Sequence, residues 1–236
     1  MTIKEELIDY ANRCLAGEEI SGKKHKWACM RFLRDCKKED AKNVQANVWP
    51  YHWDEEEASK IVDWFSMLRH SKGDLAGQPI GLTIWQKFNL CQLYGWREDI
   101  TGYKRFKQSF IEVGRKNAKS QMEAGVALYE ISVMATRNEE NYEYYTAGTK
   151  RDQSKIILNE AKLMLNKSPL KPLFKITRDA VIHRKNWKLH KGIVERGWTE
   201  WRWNQSGRTD FWMNTISTRL LSFMILVSEQ TLKSHC

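Results

Sequence analysis

The chain has 236 residues, of which 42% are hydrophobic and 29% charged, and its formal net charge is +10. This length suits one large α/β domain or two small ones. No apolar run approaches the ~20 residues that a membrane-spanning helix needs, so we expect no membrane span. The excess of Lys and Arg favours a polyanion such as DNA as partner.

The cysteines and the first residues indicate the cellular setting. The five cysteines are Cys14, Cys29, Cys36, Cys91 and Cys236. They are odd in number and lack metal-ligand spacing, which predicts reduced thiols in a cytosolic protein. None of the six histidines has partners at ligand spacing, so we expect all six to be structural or solvated. The first six residues begin an amphipathic helix rather than a signal peptide, so we do not expect export.

Helical periodicity and capping residues predict four helices in the first half of the chain. They are 3–15, about 26–40, one that follows Asp54, and one from Thr83 to about Tyr94. Asp54 precedes three glutamates and an apolar stripe, which is typical of a capped helix start. Turn-rich segments link the helices at 17–22 and 73–79.

Strands alternate with helices in the second half of the chain. The predicted strands are 109–113, 142–147, 174–177 and 180–183, and the predicted helices are 119–136 and 151–165. This βαβ progression predicts a parallel sheet with helices on its faces.

The link between the strand 109–113 and the helix 119–136 reads Gly114-Arg-Lys-Asn-Ala-Lys-Ser120. A strand, a short loop ending in Lys-Ser and a helix are the layout of a phosphate-binding P-loop, or Walker A motif. The standard G-x-x-x-x-G-K-[ST] pattern has glycines where Val113 and Ala118 stand. The other interpretation is a basic turn capped by Ser120.

Six blocks of residues occur in an order that resembles a known family. They are Tyr10-Ala11 with Gly22-Lys and Trp27-Ala-Cys-Met-Arg-Phe-Leu-Arg-Asp35; Leu68-Arg-His70 with Lys72-Gly73 and Ala76-Gly77; Leu82-Thr-Ile-Trp-Gln-Lys-Phe88; Tyr94-Gly-Trp96; the loop 114–120; and Ala147-Gly-Thr-Lys-Arg-Asp-Gln153. Over about residues 7–186 the chain resembles the large terminase subunit of tailed bacteriophages, the ATPase that drives genomic DNA into an empty capsid. The resemblance implies an α/β fold: a three-layer α/β/α P-loop NTPase domain after a helical N-terminal region.

The resemblance also implies ATP and Mg²⁺ as cofactors and a set of nucleotide-binding residues. These are Gln86, Gly114, Arg115, Lys116, Asn117, Ala118, Lys119 and Ser120. Lys119 would bind the β- and γ-phosphates, Ser120 would be the metal ligand, and Arg115 and Lys116 would lie beside the phosphates. Gln86 would read adenine, because its amide can donate and accept at once.

Other interpretations stay open for the flanking positions. Gln86 could be a surface helix residue, and Trp85 could pack in the core or stack on the nucleotide. The segment from Thr149 to Gln153 could face nucleotide or DNA, or could simply cap a helix.

The family implies double-stranded DNA, a portal protein and a small terminase subunit as partners, no membrane, and a phage or prophage protein in the cytoplasm of its bacterial host. We expect three regions. Residues 1–75 are the helical N-terminal region, 76–186 a partial ATPase domain, and 187–236 an aberrant tail, non-native or disordered.

The tail departs from the family pattern. The family has a Gly-rich loop and a strand ending in Asp-Glu after position 186, where this chain has Trp187, Trp198, Trp201, Trp203 and Trp212. The Trp codon read one nucleotide later is always a Gly codon, and Trp212-Met-Asn read one nucleotide earlier gives Asp-Glu. This favours a frameshifted gene over a divergent Trp-rich segment.

On this interpretation the chain is truncated and inactive. It lacks the Walker B carboxylates that position metal and water, so no catalytic residue is assigned, and it lacks the family's C-terminal endonuclease. One rival function is a non-enzymatic basic DNA-binding protein whose Lys-Ser loop holds DNA phosphate. Another is a different P-loop enzyme such as a nucleotide kinase, against which the blocks at 82–88 and 147–153 argue.

Overall fold

The computed structural model describes residues 1–42, 49–114, 116–137, 144–146, 151–186, 193–195 and 223–225. The chain divides into two compact units. The first contains residues 1–67, 79–111 and 225–236, and the second contains 68–78 and 112–224. The expected division into 1–75, 76–186 and 187–236 stays a prediction.

The first unit is mostly helical. Its elements in chain order are α1 (Ile3–Ala16), α2 (Lys23–Lys42), β1 (Tyr51–Trp53), α3 (Glu55–Met67), α4 (Ile84–Gly95), β2 (Trp96–Glu98) and β3 (Gln108–Phe110). All four helices predicted in this half are confirmed. The strand predicted at 109–113 is observed as β3, which ends at Phe110.

Side-chain caps fix where these helices begin. At the start of α1 the Thr2 hydroxyl accepts from the Glu5 N–H at 3.1 Å, and the Glu5 carboxylate accepts from the Thr2 N–H at 2.8 Å. The carboxylate of Asp54 accepts from the Glu57 N–H at 3.0 Å, as expected for a capping Asp. These local bonds satisfy N–H groups that a helix start otherwise leaves without partners.

The first unit also contains an antiparallel pair of strands, β1 and β2. This pair was not predicted from the sequence. Tyr51 is opposite Glu98 and Trp53 is opposite Trp96. Next to this pair, the Phe32 ring makes edge contacts with the rings of Trp53, Phe88 and Trp96. These aromatic contacts tie α2 and α4 to the strand pair and form the centre of the core.

The second unit mixes helices with short strands. Its elements are α5 (Lys119–Tyr129), which runs through a π-helical turn (Glu130–Met134) into α6 (Ala135–Arg137), then β4 (Tyr144–Thr146), α7 (Arg151–Asn166), β5 (Phe174–Ile176), β6 (Ala180–His183) and β7 (Ile193–Glu195). A further strand, β8, covers Phe223–Ile225. The predicted helices 119–136 and 151–165 and the strands near 174 and 180 are confirmed.

A four-stranded sheet has the order β4-β7-β6-β5. β4 and β7 are parallel, whereas β6 is antiparallel to both β7 and β5. The prediction of a parallel sheet is therefore wrong for β5 and β6. Only three residues separate these strands, and a link that short permits only an antiparallel hairpin. The α/β class is confirmed, and the three-layer arrangement stays a prediction.

Helix α5 is buried along almost its whole length and packs against α7. Its face includes an acid, Glu123, which is only 8% exposed. Burial raises the pKa of the Glu123 carboxyl to about 8, and the positive charge of Lys119 opposes this rise. The pKa of buried Tyr144 is also raised, by burial and by the charges of Glu123 and Glu130.

None of the described helices is both long and apolar enough to cross a bilayer.

Replacing Glu123 with Gln should flatten the dependence of stability on pH. Between its usual pKa of 4.5 and about 8, the folded chain keeps a proton on Glu123 that the unfolded chain has released. The free energy of unfolding of the parent chain should therefore fall as pH rises through this window, by up to about 1.4 kcal/mol per pH unit. Urea unfolding at pH 5 and pH 8 measures the difference.

The matched control is Glu56→Gln, because the Glu56 side chain is 79% exposed. This variant should keep the pH dependence of the parent. A Glu123→Gln variant that loses as much stability as the parent between pH 5 and pH 8 would contradict the assigned protonation of Glu123.

Candidate functional site

The predicted phosphate loop is an exposed turn between two elements of different type. β3 ends at Phe110, residues 111–118 form the link, and α5 begins at Lys119. Gly114, Lys116, Asn117 and Ala118 are exposed, and Lys119 and Ser120 are half-buried in the first turn of the helix. Arg115 lies outside the described residues. The predicted order of strand, loop, helix, strand and helix is confirmed.

Two residues of the loop have left-handed backbone. The φ angle is +68° at Lys116 and +52° at Ala118. A residue with a Cβ atom pays roughly 1–2 kcal/mol for this conformation, which glycine adopts freely. Ala118 stands where the standard Walker A pattern has its second glycine. Ala118 thus adopts a backbone conformation that glycine adopts without strain.

This turn leaves the start of α5 without a side-chain cap. Ala118 is the residue before the helix, and it makes no side-chain capping bond. The Ala118 carbonyl accepts from the Met122 N–H at 2.9 Å, and the Asn117 amide donates to the Gly114 carbonyl at 3.1 Å. Exposed N–H groups at a helix start, next to left-handed residues, form an arrangement that binds anions.

The charge of Lys119 is not cancelled by the acid one turn further along. Glu123 is the i+4 neighbour of Lys119 on α5, and its pKa of about 8 keeps most of this carboxyl protonated at pH 7. The positive charge of Lys119 therefore adds to the helix dipole at the loop. A nucleotide phosphate has the charge and the oxygen acceptors that this end of the helix favours.

The segment 68–78 contacts the same helix end within the second unit. The Gln121 amide lies 3.3 Å from Nδ1 of His70, and the Ser71 hydroxyl donates to the carboxylate of Glu160 on α7. Lys72 pairs with the same carboxylate at 3.6 Å. Residues 68–77 form one of the six blocks of the resemblance. Their contacts were not predicted, because their partners are distant along the chain.

Gln86 is not a surface residue. It is 6% exposed on α4, and its side-chain oxygen accepts from the Thr83 N–H at 3.0 Å. The pattern Thr83-Ile-Trp-Gln86 is that of a capping box, which could have predicted this bond. Trp85 is half-buried. The adenine-reading role of Gln86 stays a prediction. Thr149 and the side chains of 151–153 lie outside the described residues.

The first unit contains a groove of about 400 Å³ that the sequence did not predict. Its lining combines basic, aromatic and amide side chains, among them Lys24, Trp27, Arg31, Gln92, Phe106 and Phe110. Trp27 is 53% exposed and Phe110 is 55% exposed. Such a lining suits the flat face of a base together with phosphate.

Two cysteines and a histidine lie close together in the first unit. Among the described residues, Cys14, His25 and Cys29 place their ligand atoms within 4.8 Å of one another. Cys14 lies on α1, whereas His25 and Cys29 lie one turn apart on α2. The sequence did not predict this cluster, because it depends on how the two helices pack. The expectation that the histidines are structural or solvated stays a prediction.

Comparison with known proteins gives one family. Residues 84–194 match the family model described as the terminase large subunit, ATPase domain. The matched segment contains Gln86, the loop 114–120 and the elements from α5 to β6, and it extends past Asn186. Comparison with curated proteins and with solved structures gives no match.

The resemblance found in the sequence is thus confirmed over this segment. The segment begins with α4, and the loop between β3 and α5 lies inside it. Residues 84–194 are therefore similar to the ATPase domain of terminase large subunits.

Proposed function

We propose that this chain binds ATP and Mg²⁺ at the loop 114–120 and serves as the nucleotide-binding part of a motor that packages phage DNA. The observation that carries the proposal is the left-handed turn at Ala118. It leads into the uncapped start of α5 at Lys119, inside the segment that matches terminase ATPase domains.

Each loop residue has a proposed task. The N–H groups of the loop and of the first turn of α5 donate to phosphate oxygens, and the Lys119 amine adds a charge-assisted contact to the β- and γ-phosphates. The Ser120 hydroxyl is the protein ligand of Mg²⁺. Arg115 and Lys116 add positive charge beside the phosphates, and Gln86 reads the adenine edge. Bound ATP supplies the phosphoanhydride bond whose cleavage drives such motors.

The wider proposal follows the family. The chain would act on double-stranded DNA in the cytoplasm of a bacterial host, with a portal protein and a small terminase subunit as partners, and its ATPase domain would have the three-layer α/β/α arrangement. The net charge of +10 suits contacts to a DNA backbone that do not depend on base sequence.

The groove of the first unit favours a second candidate function, which is nucleic-acid binding without an ATPase role. Lys24 lies 5.1 Å from the centre of the Phe110 ring, and the Arg31 guanidinium lies 4.6 Å from that of Phe106. A protein of this kind would bind DNA in a salt-sensitive way and would show no preference for ATP over an equally charged anion.

We also propose that the gene is frameshifted within the region encoding residues 187–236. The five tryptophans of this region and the hidden Asp-Glu codons support the proposal. Sequencing the nucleotides that encode residues 180–236 tests the proposal. A nucleotide sequence that shows no insertion or deletion relative to related genes would refute it.

Replacing Lys119 with Ala should weaken ATP binding about ten- to a hundredfold. The variant loses a charge-assisted contact to phosphate worth roughly 1.5–3 kcal/mol. Calorimetric titration at matched Mg²⁺ measures the two affinities. The control is Lys171→Ala, which removes one exposed Lys of the same unit outside the loop. If both variants lost the same amount of ATP affinity, the effect would come from net charge alone, and this result would contradict the P-loop assignment.

Replacing Ala118 with Gly should raise the free energy of unfolding by about 0.5–1 kcal/mol. Glycine removes the strain of the left-handed backbone in the folded chain. It also increases the conformational entropy of the unfolded chain, which offsets part of this stabilisation. The control is Ala124→Gly, which puts the same residue in the middle of α5 and should be destabilising by about 1 kcal/mol. Chemical denaturation measures both. A loss of stability in Ala118→Gly would contradict the left-handed turn.

A further inference from the structure

Helices α1 and α2 bring four polar side chains together as two pairs with i, i+4 spacing. Tyr10 and Cys14 lie one turn apart on α1, and His25 and Cys29 lie one turn apart on α2. The ligand atoms of Cys14, His25 and Cys29 all lie within 4.8 Å of one another. The Tyr10 hydroxyl is 3.0 Å from Nε2 of His25.

We propose that Cys14, His25 and Cys29 bind one Zn²⁺ ion that ties α1 to α2, with the Tyr10 hydroxyl or a water at the fourth position. Two thiolates and an imidazole are a ligand set that Zn²⁺ prefers, and tetrahedral geometry accommodates one further oxygen. The site would be structural, and it is independent of the nucleotide site.

The distances fit after a small adjustment. Zn–S bonds of about 2.3 Å and Zn–N bonds of about 2.0–2.1 Å place tetrahedral ligand atoms roughly 3.5–3.8 Å apart. The atoms here are separated by at most 4.8 Å, so closure requires a shift of about 1 Å at most. Changes of side-chain torsion on two adjacent helices can provide this shift without moving the backbone.

The charges of the two thiolates and the Zn²⁺ ion cancel at this buried site. Cys14 and Cys29 are fully buried, where an uncompensated ion would be very costly. Two thiolates bring a charge of −2, which cancels the +2 of the zinc ion, and the imidazole stays neutral. Binding therefore forms two Zn–S bonds and one Zn–N bond and releases two thiol protons to solvent.

Zinc binding should weaken as pH falls, because protons compete with Zn²⁺ for the two thiolates and the imidazole.

Aromatic rings close one side of the cluster. The rings of Tyr10 and Phe88 each lie within 6 Å of the His25 ring in edge-to-face contact, at 5.8 and 5.3 Å between ring centres. They hold the imidazole in place and limit access of water. Structural zinc sites gain affinity when the surrounding groups fix the ligands in this way.

Two other buried cysteines provide matched controls. Cys36 lies on α2 two turns after Cys29, and Cys91 donates from its thiol to the Ala58 carbonyl. Both are free thiols, as are Cys14 and Cys29. Neither belongs to the cluster, so their substitution should perturb packing without removing a ligand.

The experiment titrates the metal-depleted full chain with Co²⁺ and then with Zn²⁺. The parent chain should bind one equivalent, show the thiolate-to-metal absorption band of Co²⁺, and release two protons per Zn²⁺. Cys14→Ser and Cys29→Ser should each lose the band or most of its intensity, and His25→Gln should weaken binding. Cys36→Ser should keep the parent spectrum. Circular dichroism checks that each variant retains its helix content.

A triple variant, Cys36→Ser with Cys91→Ser and Cys236→Ser, keeps only Cys14 and Cys29 as thiols. A full band in this variant supports the site even if the single Cys14 and Cys29 variants lose helix content. No band in the parent chain, or equal binding by Cys14→Ser and Cys36→Ser, would overturn the proposal. Neither result affects the nucleotide site, because loss of Zn²⁺ and loss of ATP binding are measured separately.

Discussion

The left-handed turn at Ala118 is the constraint on which the nucleotide-binding account depends. Ala118 is the last residue of the link after β3, and α5 begins at the next residue. Lys119 and Ser120 therefore lie in the first turn of the helix. A residue with a Cβ atom tolerates this backbone only at a cost, and the contacts of the surrounding fold must offset it. The bonds from Asn117 to Gly114 and from Met122 to Ala118 are two such contacts.

The burial of α5 links this turn to the electrostatics of the site. Because the helix packs against α7 on a largely apolar face, Glu123 is held in its protonated form near neutral pH. The nearest acid along the helix from Lys119 is therefore mostly neutral, which leaves the helix start more favourable for an anion. The burial of α5 therefore affects the electrostatic potential at the start of the helix, because it keeps the Glu123 carboxyl mostly neutral.

The sequence predicted the local features and missed the long-range ones. Helices such as α1 depend on caps and periodicity within a few residues, and those signals were read correctly. The pairing of β1 with β2 joins residues more than forty positions apart, and three-residue strands carry almost no periodicity. The cluster of Cys14, His25 and Cys29 and the burial of Gln86 likewise depend on which helix faces pack together. The order of strand, link and helix around Lys119 was predicted from sequence, and the phosphate-binding role of this link stays a prediction.

Hydrogen–deuterium exchange of the chain with and without Mg²⁺ and a slowly hydrolysed ATP analogue tests the central claim most directly. Backbone N–H groups that donate to phosphate should exchange more slowly, so protection should concentrate in peptides covering the loop 114–120 and the first turn of α5. Nucleotide-free controls with inorganic phosphate alone should give weaker protection at the same peptides. Protection confined to the groove lined by Trp27, Arg31 and Phe110, with none at 114–120, would contradict the account and favour the DNA-binding alternative.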